Sequence, residues 1–349
     1  MGRVIEFGKR QESHLCAIMD QNHRIEDAIV VKSLVKRFGS FTAVKGISFS
    51  VKTGEIFGLL GPNGAGKTTT ISMMTTMLSH TSGSIKLFGV DALAAKDNAR
   101  QMIGIVFQDP SLDDELTAWE NLDFHARLYG IKNEKDEIIE RVLKLVDLQD
   151  KAEKQVKTFS GGMKRRLEIA RGFIHSPKVL FLDEPTLGLD PQTRRRIWDY
   201  ITKLNREQGL TIILTTHYLE EADSLCNRIA IIDHGKIIKS GTPDSLKRSL
   251  GGDVVRIGVE RKTELMRLLK GKPFINSVKE SNEGLEISAK DGSKAIPMIA
   301  KIADRDGISI SYATVKQPSL EDVFIHLTGR DIREEGADGE SAWKRFRGR

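Results

Sequence analysis

Cysteine is nearly missing from this 349-residue chain, which has only Cys16 and Cys226. Two isolated cysteines make neither a metal-binding pattern nor a disulfide framework, so a reducing cytosol is the expected home. Long apolar runs are missing too. The longest, residues 56–60 and 179–182, fall far below the roughly 20 residues a membrane helix needs. Any membrane role is therefore expected to come through a separate partner. The first twenty residues lack the apolar core of a signal peptide. Residues 1–18 show no apolar period and Met19 stands just before the first strand, so that stretch is expected to be dispensable. Aromatic residues are scarce, at 6%. No compact Lys/Arg block with interleaved aromatics accompanies the net charge of +6, so a mildly basic surface is read and no nucleic acid is expected.

What is present is an alternation of short apolar strands and amphipathic helices from residue 28 onward. Strand-like segments stand at 29–31, 47–51, 55–60, 84–88, 103–107, 179–182, 212–214 and 229–232, and helical spacing appears after residue 66 and at 117–150, 163–174, 193–205 and 218–225. That alternation predicts an α/β fold with a largely parallel sheet. Gly251-Gly252 interrupts it. Beyond lie strands at 254–259, 275–278, 284–288 and 308–315, with helices at 264–269 and 295–304. The order βαββαβ is the ferredoxin-like arrangement, a smaller α+β unit. A last helix is predicted over 319–328, with Leu320, Val323, Phe324 and Leu327 on one face. The expected division is an N-terminal extension (1–27), a main α/β block (28–248), a C-terminal accessory block (249–330) and a charged, disordered tail (331–349).

The chemistry begins at Gly61-Pro62-Asn63-Gly64-Ala65-Gly66-Lys67-Thr68, which fits G-x-x-x-x-G-K-[ST] at every fixed position. Glycines let the backbone wrap a phosphate with inward N–H groups, and the helix start that follows adds partial positive charge. Lys67 would reach the β- and γ-phosphates, and the Thr68 hydroxyl would bind Mg²⁺. Thr69 completes the candidate phosphate-binding stretch. A strand before and a helix after give the motif its required context.

Lys178-Val179-Leu180-Phe181-Leu182-Asp183-Glu184 is an apolar strand ending in two acids. Alone it reads equally well as a strand with a solvated end. Beside a P-loop, Asp183 becomes a candidate Mg²⁺ arm and Glu184 a candidate base for the attacking water. Ser160-Gly161-Gly162 opens another helix and can donate to an anion, though an ordinary helix cap has the same look. Phe38, Gln108 and His217 carry no message singly: a core aromatic, a loop amide and a polar strand end are the plain readings.

Taken in order, Lys67, Gln108, Ser160–Gly162, Asp183-Glu184, Asp190 and His217 resemble the ABC ATPase family over about residues 28–245. The resemblance implies a P-loop NTPase of the ABC type that binds ATP and Mg²⁺ and hydrolyses ATP. It implies that Phe38 stacks on adenine and that Gln108 senses Mg²⁺ and couples to a membrane partner. It also implies that Ser160, Gly161 and Gly162 contact the γ-phosphate bound to another copy, and that His217 holds that phosphate. Residues 187–190 would link the two sites. The commonest signature is LSGGQ; here Phe159 and Met163 flank the Ser-Gly-Gly core. Asp114-Glu115-Leu116-Thr117, Gly161-Gly162-Met163 with Arg165-Arg166-Leu167, and Pro318-Ser319-Leu320-Glu321-Asp322-Val323-Phe324 resemble the daunorubicin-resistance type. The partners implied are a second copy or a related ATPase subunit, and separate permease chains at the cytoplasmic face of a membrane, with export of a drug-like or lipid-like compound.

A soluble ABC ATPase acting on DNA or ribosomes is the alternative. DNA-repair types insert a coiled coil or zinc modules between the positions of Lys67 and Ser160, and translation types carry two cassettes. This chain has one cassette, and that stretch has no long heptad run and no cysteine cluster.

Overall fold

A computed structural model describes residues 27–109, 111–281 and 284–329. The expected extension before Asp27, the expected tail at 331–349 and Cys16 lie outside the described residues.

The chain begins as a hairpin of β1 (Asp27–Phe38) and β2 (Phe41–Lys52). Only Gly39 and Ser40 join them, and Phe38 pairs with Phe41. Gly39 takes φ 58°, which such a two-residue turn requires. A turn this short can pair strands only antiparallel. The expected strands at 29–31, 47–51 and 84–88 therefore stand apart from the parallel ones. They form a separate antiparallel sheet, in the order β2-β1-β4-β5, with β4 (Ser82–Leu87) and β5 (Val90–Asp91).

The parallel sheet is built from β3 (Ile56–Leu60), β6 (Ile103–Val106), β7 (Val179–Asp183), β8 (Thr211–Thr216) and β9 (Arg228–Asp233). An antiparallel edge strand, β10 (Lys236–Gly241), completes the order β10-β9-β3-β8-β7-β6. Its parallel strands are apolar on both faces because both faces are covered. In β3, Ile56 and Leu60 enter one core while Phe57 and Leu59 enter the other. In β7, Leu180 and Leu182 alternate in the same way with Val179 and Phe181. Strand period two thus sends every second residue to each layer.

The helices follow in chain order: α1 (Lys67–Met74), α2 (Lys96–Met102), α3 (Ala118–Leu128), α4 (Lys135–Leu145), α5 (Gly161–Phe173), α6 (Pro191–Gln208), α7 (Leu219–Leu225) and α8 (Pro243–Arg248). Met73 and Met74 of α1 pack between the parallel and antiparallel sheets. Helices α3, α4 and α5 share a core of their own, with Leu122, Leu143 and Leu167 among its residues. Thr117 caps α3 reciprocally with Glu120, a capping box that fixes where the helix starts.

The last part of the chain contains β11 (Asp253–Val259), α9 (Lys262–Leu269), β12 (Ile275–Ser281), β13 (Gly284–Ala289), α10 (Gly292–Arg305) and β14 (Ile310–Lys316). Its sheet runs β12-β13-β11-β14 with every neighbour antiparallel, the ferredoxin-like order. Val255, Ile257, Leu265, Leu285, Ile287 and Ile299 make its separate core. Helix α11 (Leu320–Thr328) closes the described chain but does not cover that sheet. Its Leu320, Val323 and Phe324 enter the core beside β3 and β7, in the cluster that holds Ala222, Leu225 and Leu246.

Candidate functional site

The glycine-rich loop leaves β3 at a point with no room for a side chain. A Cβ on Gly61 would lie 2.2 Å from the Ile232 carbonyl oxygen. Gly66 takes φ 104°, and a Cβ there would meet the Ala43 carbonyl oxygen at 2.9 Å. The loop therefore hugs β2 and β9 and then enters α1. Gly66 offers no side-chain cap, and the first turn of α1 holds no acidic residue. Its first N–H groups and dipole are left for an anion.

Lys67 is only 4% exposed. Its Nζ donates to the carbonyls of Gly61 at 2.8 Å and Pro62 at 3.1 Å, and sits 3.4 Å from Glu184 Oε1. All three ammonium donors thus have partners. Burial pulls the Lys67 pKa down, opposed by the Glu184 charge.

Asp183 ends β7 opposite Thr215 of β8. The Thr215 hydroxyl donates to Asp183 Oδ1 and accepts from the Glu184 N–H at 3.1 Å. Thr68 Oγ1 donates to the same Oδ1 at 3.3 Å. Burial pushes the Asp183 carboxyl up, and those two hydroxyls pull against it. Glu184 has φ 46°, a left-handed conformation that costs a non-glycine residue about 1–2 kcal/mol. Its Oε2 lies 3.2 Å from His217 Nδ1, an ion-pair distance whose angle falls short of a hydrogen bond. Burial pushes the Glu184 carboxyl up, but His217 and Lys67 more than offset it and hold it below the usual range. Glu184 is therefore an anion near neutral pH, wedged between two nitrogen groups.

Lys67, Thr68, Asp183, Glu184 and His217 thus meet in one place. Three neighbouring strands of the parallel sheet, β3, β8 and β7, deliver them from their C-terminal ends, where α/β sheets bind ligands. Asn63, Gly64, Ala65 and Thr69 lie in the same loop and helix start. Phe38 is 36% exposed at the hairpin end, with Lys36 Nζ 4.8 Å from its ring centre. Gln108 is exposed in the loop after β6. Ser160 caps α5, its Oγ accepting from Met163 N–H at 3.3 Å, and Ser160 and Gly161 are exposed. No hydrogen bond or ion pair joins Phe38, Gln108 or Ser160 to the Lys67–Glu184 pair among the described residues.

A model of the ABC transporter family matches residues 44–187. A model of the C-terminal domain of DrrA1-3-like ATP-binding proteins matches residues 241–328. The linearmycin resistance ATP-binding protein LnrL of Bacillus subtilis is 42% identical over 308 residues, covering 87% of this chain and 99% of its own. The chain belongs to the ABC transporter ATP-binding family. The daunorubicin/doxorubicin resistance ATP-binding protein DrrA of Streptomyces peucetius is 39% identical, over 90% of this chain and 97% of its own. A solved dimeric ATP-binding cassette in a post-hydrolysis state, bound to ADP and Pi, is 26% identical with a TM-score of 0.55. That likeness covers 61% of this chain and 98% of the cassette.

The ABC ATPase fold assigns the chain as an ATP-binding and ATP-hydrolysing subunit of a transporter, working with separate membrane components and using ATP with Mg²⁺. The residues fit both ligands. The loop lacks Cβ atoms where it crowds β2 and β9, the helix start carries no competing acid, and Thr68 and Asp183 offer adjacent oxygens. Among the described residues, no helix is long and apolar enough to cross a membrane.

Sequence reasoning missed several polar side chains around this centre. Thr215 links both acids, and only strand pairing brings it there. Glu221 is fully buried on α7 and accepts from Thr186 at 2.8 Å and Trp198 at 2.9 Å, tying the loop after Glu184 to α6. Arg165 and Glu168 are buried on α5. Their signal was available: two charges three apart on the face of a helix that also buries Leu167 and Ile169.

Proposed function

We propose that two copies of this chain close around two ATP molecules at the cytoplasmic face of a membrane. They drive export of a drug-like or lipid-like compound through separate permease chains. One observation carries the hydrolytic part of this reading: an anionic Glu184 is held between Lys67 and His217 at the mouth of a phosphate-binding loop. The resistance functions named for the relatives support export.

In this reading Lys67 leaves Glu184 for the β- and γ-phosphates while the amides of residues 61–66 wrap them. Glu184, released from that pairing, polarises the attacking water, and His217 holds the γ-phosphate. Thr68, Asp183 and Gln108 would hold Mg²⁺, which would supply charge neutralisation at the phosphates. Phe38 stacks on adenine. Ser160, Gly161 and Gly162 cover the γ-phosphate of the other copy, from the side the P-loop leaves open. Two-fold pairing makes both sites at once, since each chain offers one of each element. Residues 28–248 form the nucleotide unit and 249–330 an accessory unit, with α11 reaching back to the former.

Glu184→Gln tests it. The amide keeps the shape and removes the negative charge facing the phosphate. Hydrolysis should fall about 10²–10⁴-fold with ATP binding kept. An ATP-bound dimer should then accumulate on size exclusion with Mg-ATP. Wild-type turnover in this variant would rule Glu184 out as the water-activating residue.

A further inference from the structure

Helix α5 turns an unusual face inward. Arg165, Glu168 and Arg171 stand three residues apart, which aligns them in one row along a helix. All three are buried. Charged residues are almost never buried without partners, and here the partners are two loops of the nucleotide site.

Arg165 uses all five of its N–H donors. Nε donates to Pro185 O at 2.7 Å, and Nη2 donates to Asp183 O at 3.1 Å and Glu184 O at 3.2 Å. Nη1 donates to Phe107 O at 2.6 Å and to Glu168 Oε2 at 2.7 Å. Glu168 Oε1 in turn accepts from the Ser111 N–H at 3.1 Å. Arg171 donates to both the carbonyl and the hydroxyl of Ser111. One helix row therefore grips the turn that carries Glu184 and two points, Phe107 and Ser111, on either side of Gln108.

The Glu184 turn needs such a grip. Its φ of 46° lies in the left-handed region that L side chains disfavour. Such a conformation persists only where the surroundings over-determine it. Thr215 fixes the Glu184 N–H, and Arg165 fixes the carbonyl on the other side.

We infer that Arg165 is a positioning residue for hydrolysis: it holds the Glu184 main chain in the turn that aims the carboxylate at the phosphate site. Through Glu168 it also ties that turn to the Gln108 loop and to the helix opened by Ser160. Movement of the loop or of the helix then alters the aim of Glu184. A lysine cannot replace it, because a single ammonium point charge cannot span three consecutive carbonyls as a planar fork does. The inference rests on the role proposed for Glu184.

A double-mutant cycle on the full chain tests it, with turnover and Mg-ATP binding measured for each variant. Arg165→Gln should lower kcat about 10- to 100-fold, the range typical of residues that orient reacting groups. KM for ATP should stay within about twofold, because Lys67 and its loop are untouched. Placed in Glu184→Gln, the same change should add less than about threefold, since its effect runs through the group already removed. Multiplied losses in the double variant overturn the inference while leaving Glu184 its role. Wild-type turnover in Glu184→Gln alone sinks both. Should Arg165→Gln fail to bind Mg-ATP, the cycle is run with Arg165→Lys, which should show the same kcat loss with binding intact. Loss of binding in both variants would make Arg165 a general structural residue and overturn the inference.

Discussion

Helices α1 and α5 begin alike and end up in opposite surroundings. Helix α1 follows a glycine-rich loop, α5 opens on Gly161-Gly162, and neither has an acidic residue in its first turn. At α1 the glycines are demanded by the chain itself: Gly61 and Gly66 leave no space for a Cβ against Ile232 and Ala43. At α5 a Cβ on Gly162 would come within 2.4 Å of Thr193 Cγ2, but one on Gly161 would meet only Leu189 Cδ2, at an ordinary 3.6 Å. Nothing within the described chain requires glycine there, and the residue is exposed. One helix start is thus completed inside a single chain, while the other faces outward. A glycine unexplained from within points to something close-fitting from without.

The largest effect should come from the inward start. Lys67→Ala removes the cation at the phosphates and leaves Glu184 with His217 as its remaining ion-pair neighbour. ATP turnover should fall about 10³-fold or more, the scale on which a single cation acts in phosphoryl transfer. Ser160→Arg should also be nearly inactive, by filling the outward start. Mixing the two inactive variants then tests whether the starts belong to different chains at each site. In random one-to-one pairing, half the dimers are mixed and each has one intact site of two, so about a quarter of wild-type turnover should return. Turnover that stays at the single-variant level, with mixed dimers shown to form, counts against an arrangement in which each intact site works independently.

The second contrast separates packing from partnership. Gly66→Ala forces a side chain onto φ 104° and against Ala43, so the melting temperature should drop by roughly 4 °C or more, about 2 kcal/mol in a chain of this size. Gly161→Ala should leave the melting temperature within about 1 °C. Its turnover should still fall about 10²-fold, as when one preorganised donor at a reacting oxygen is displaced. If both variants melt early, the asymmetry between the two helix starts is wrong.

The same asymmetry explains what the sequence could disclose. The P-loop, the two acids after β7 and the Ser160 helix start are short contiguous strings, and their chemistry is written in adjacent residues. The ferredoxin-like block was readable because its elements follow one another in order and β13 keeps period two, with Leu285, Ile287 and Ala289 buried on one face. Contacts made across the chain were not. Thr215 reaches Asp183 only because β7 and β8 pair in register. Segments 29–31 and 47–51 read as strands, but their antiparallel sheet depended on recognising residues 39–40 as a hairpin turn. Helix α11 showed its apolar face plainly. Which core it fills, beside Leu225 and Leu246, is a tertiary fact that periodicity does not carry.

The smallest expected effect concerns Met163, the fifth signature position, where the commonest family residue is Gln. Met163 is half-buried and packs against the core shared by α3, α4 and α5. Its backbone N–H is the group that meets Ser160 Oγ. The side chain therefore serves the underside of the helix start, while Ser160 and Gly161 are exposed at its mouth. Met163→Gln should lose part of a buried apolar contact, about 1 kcal/mol, and lower the melting temperature by roughly 2 °C. Turnover should change by less than about twofold, because the backbone donors of the helix start remain. Calorimetry and steady-state ATPase assays on the same preparation read both quantities. A tenfold change in turnover with an unaltered melting temperature would place this side chain at the phosphate instead. The outward helix start would then be more than a backbone device.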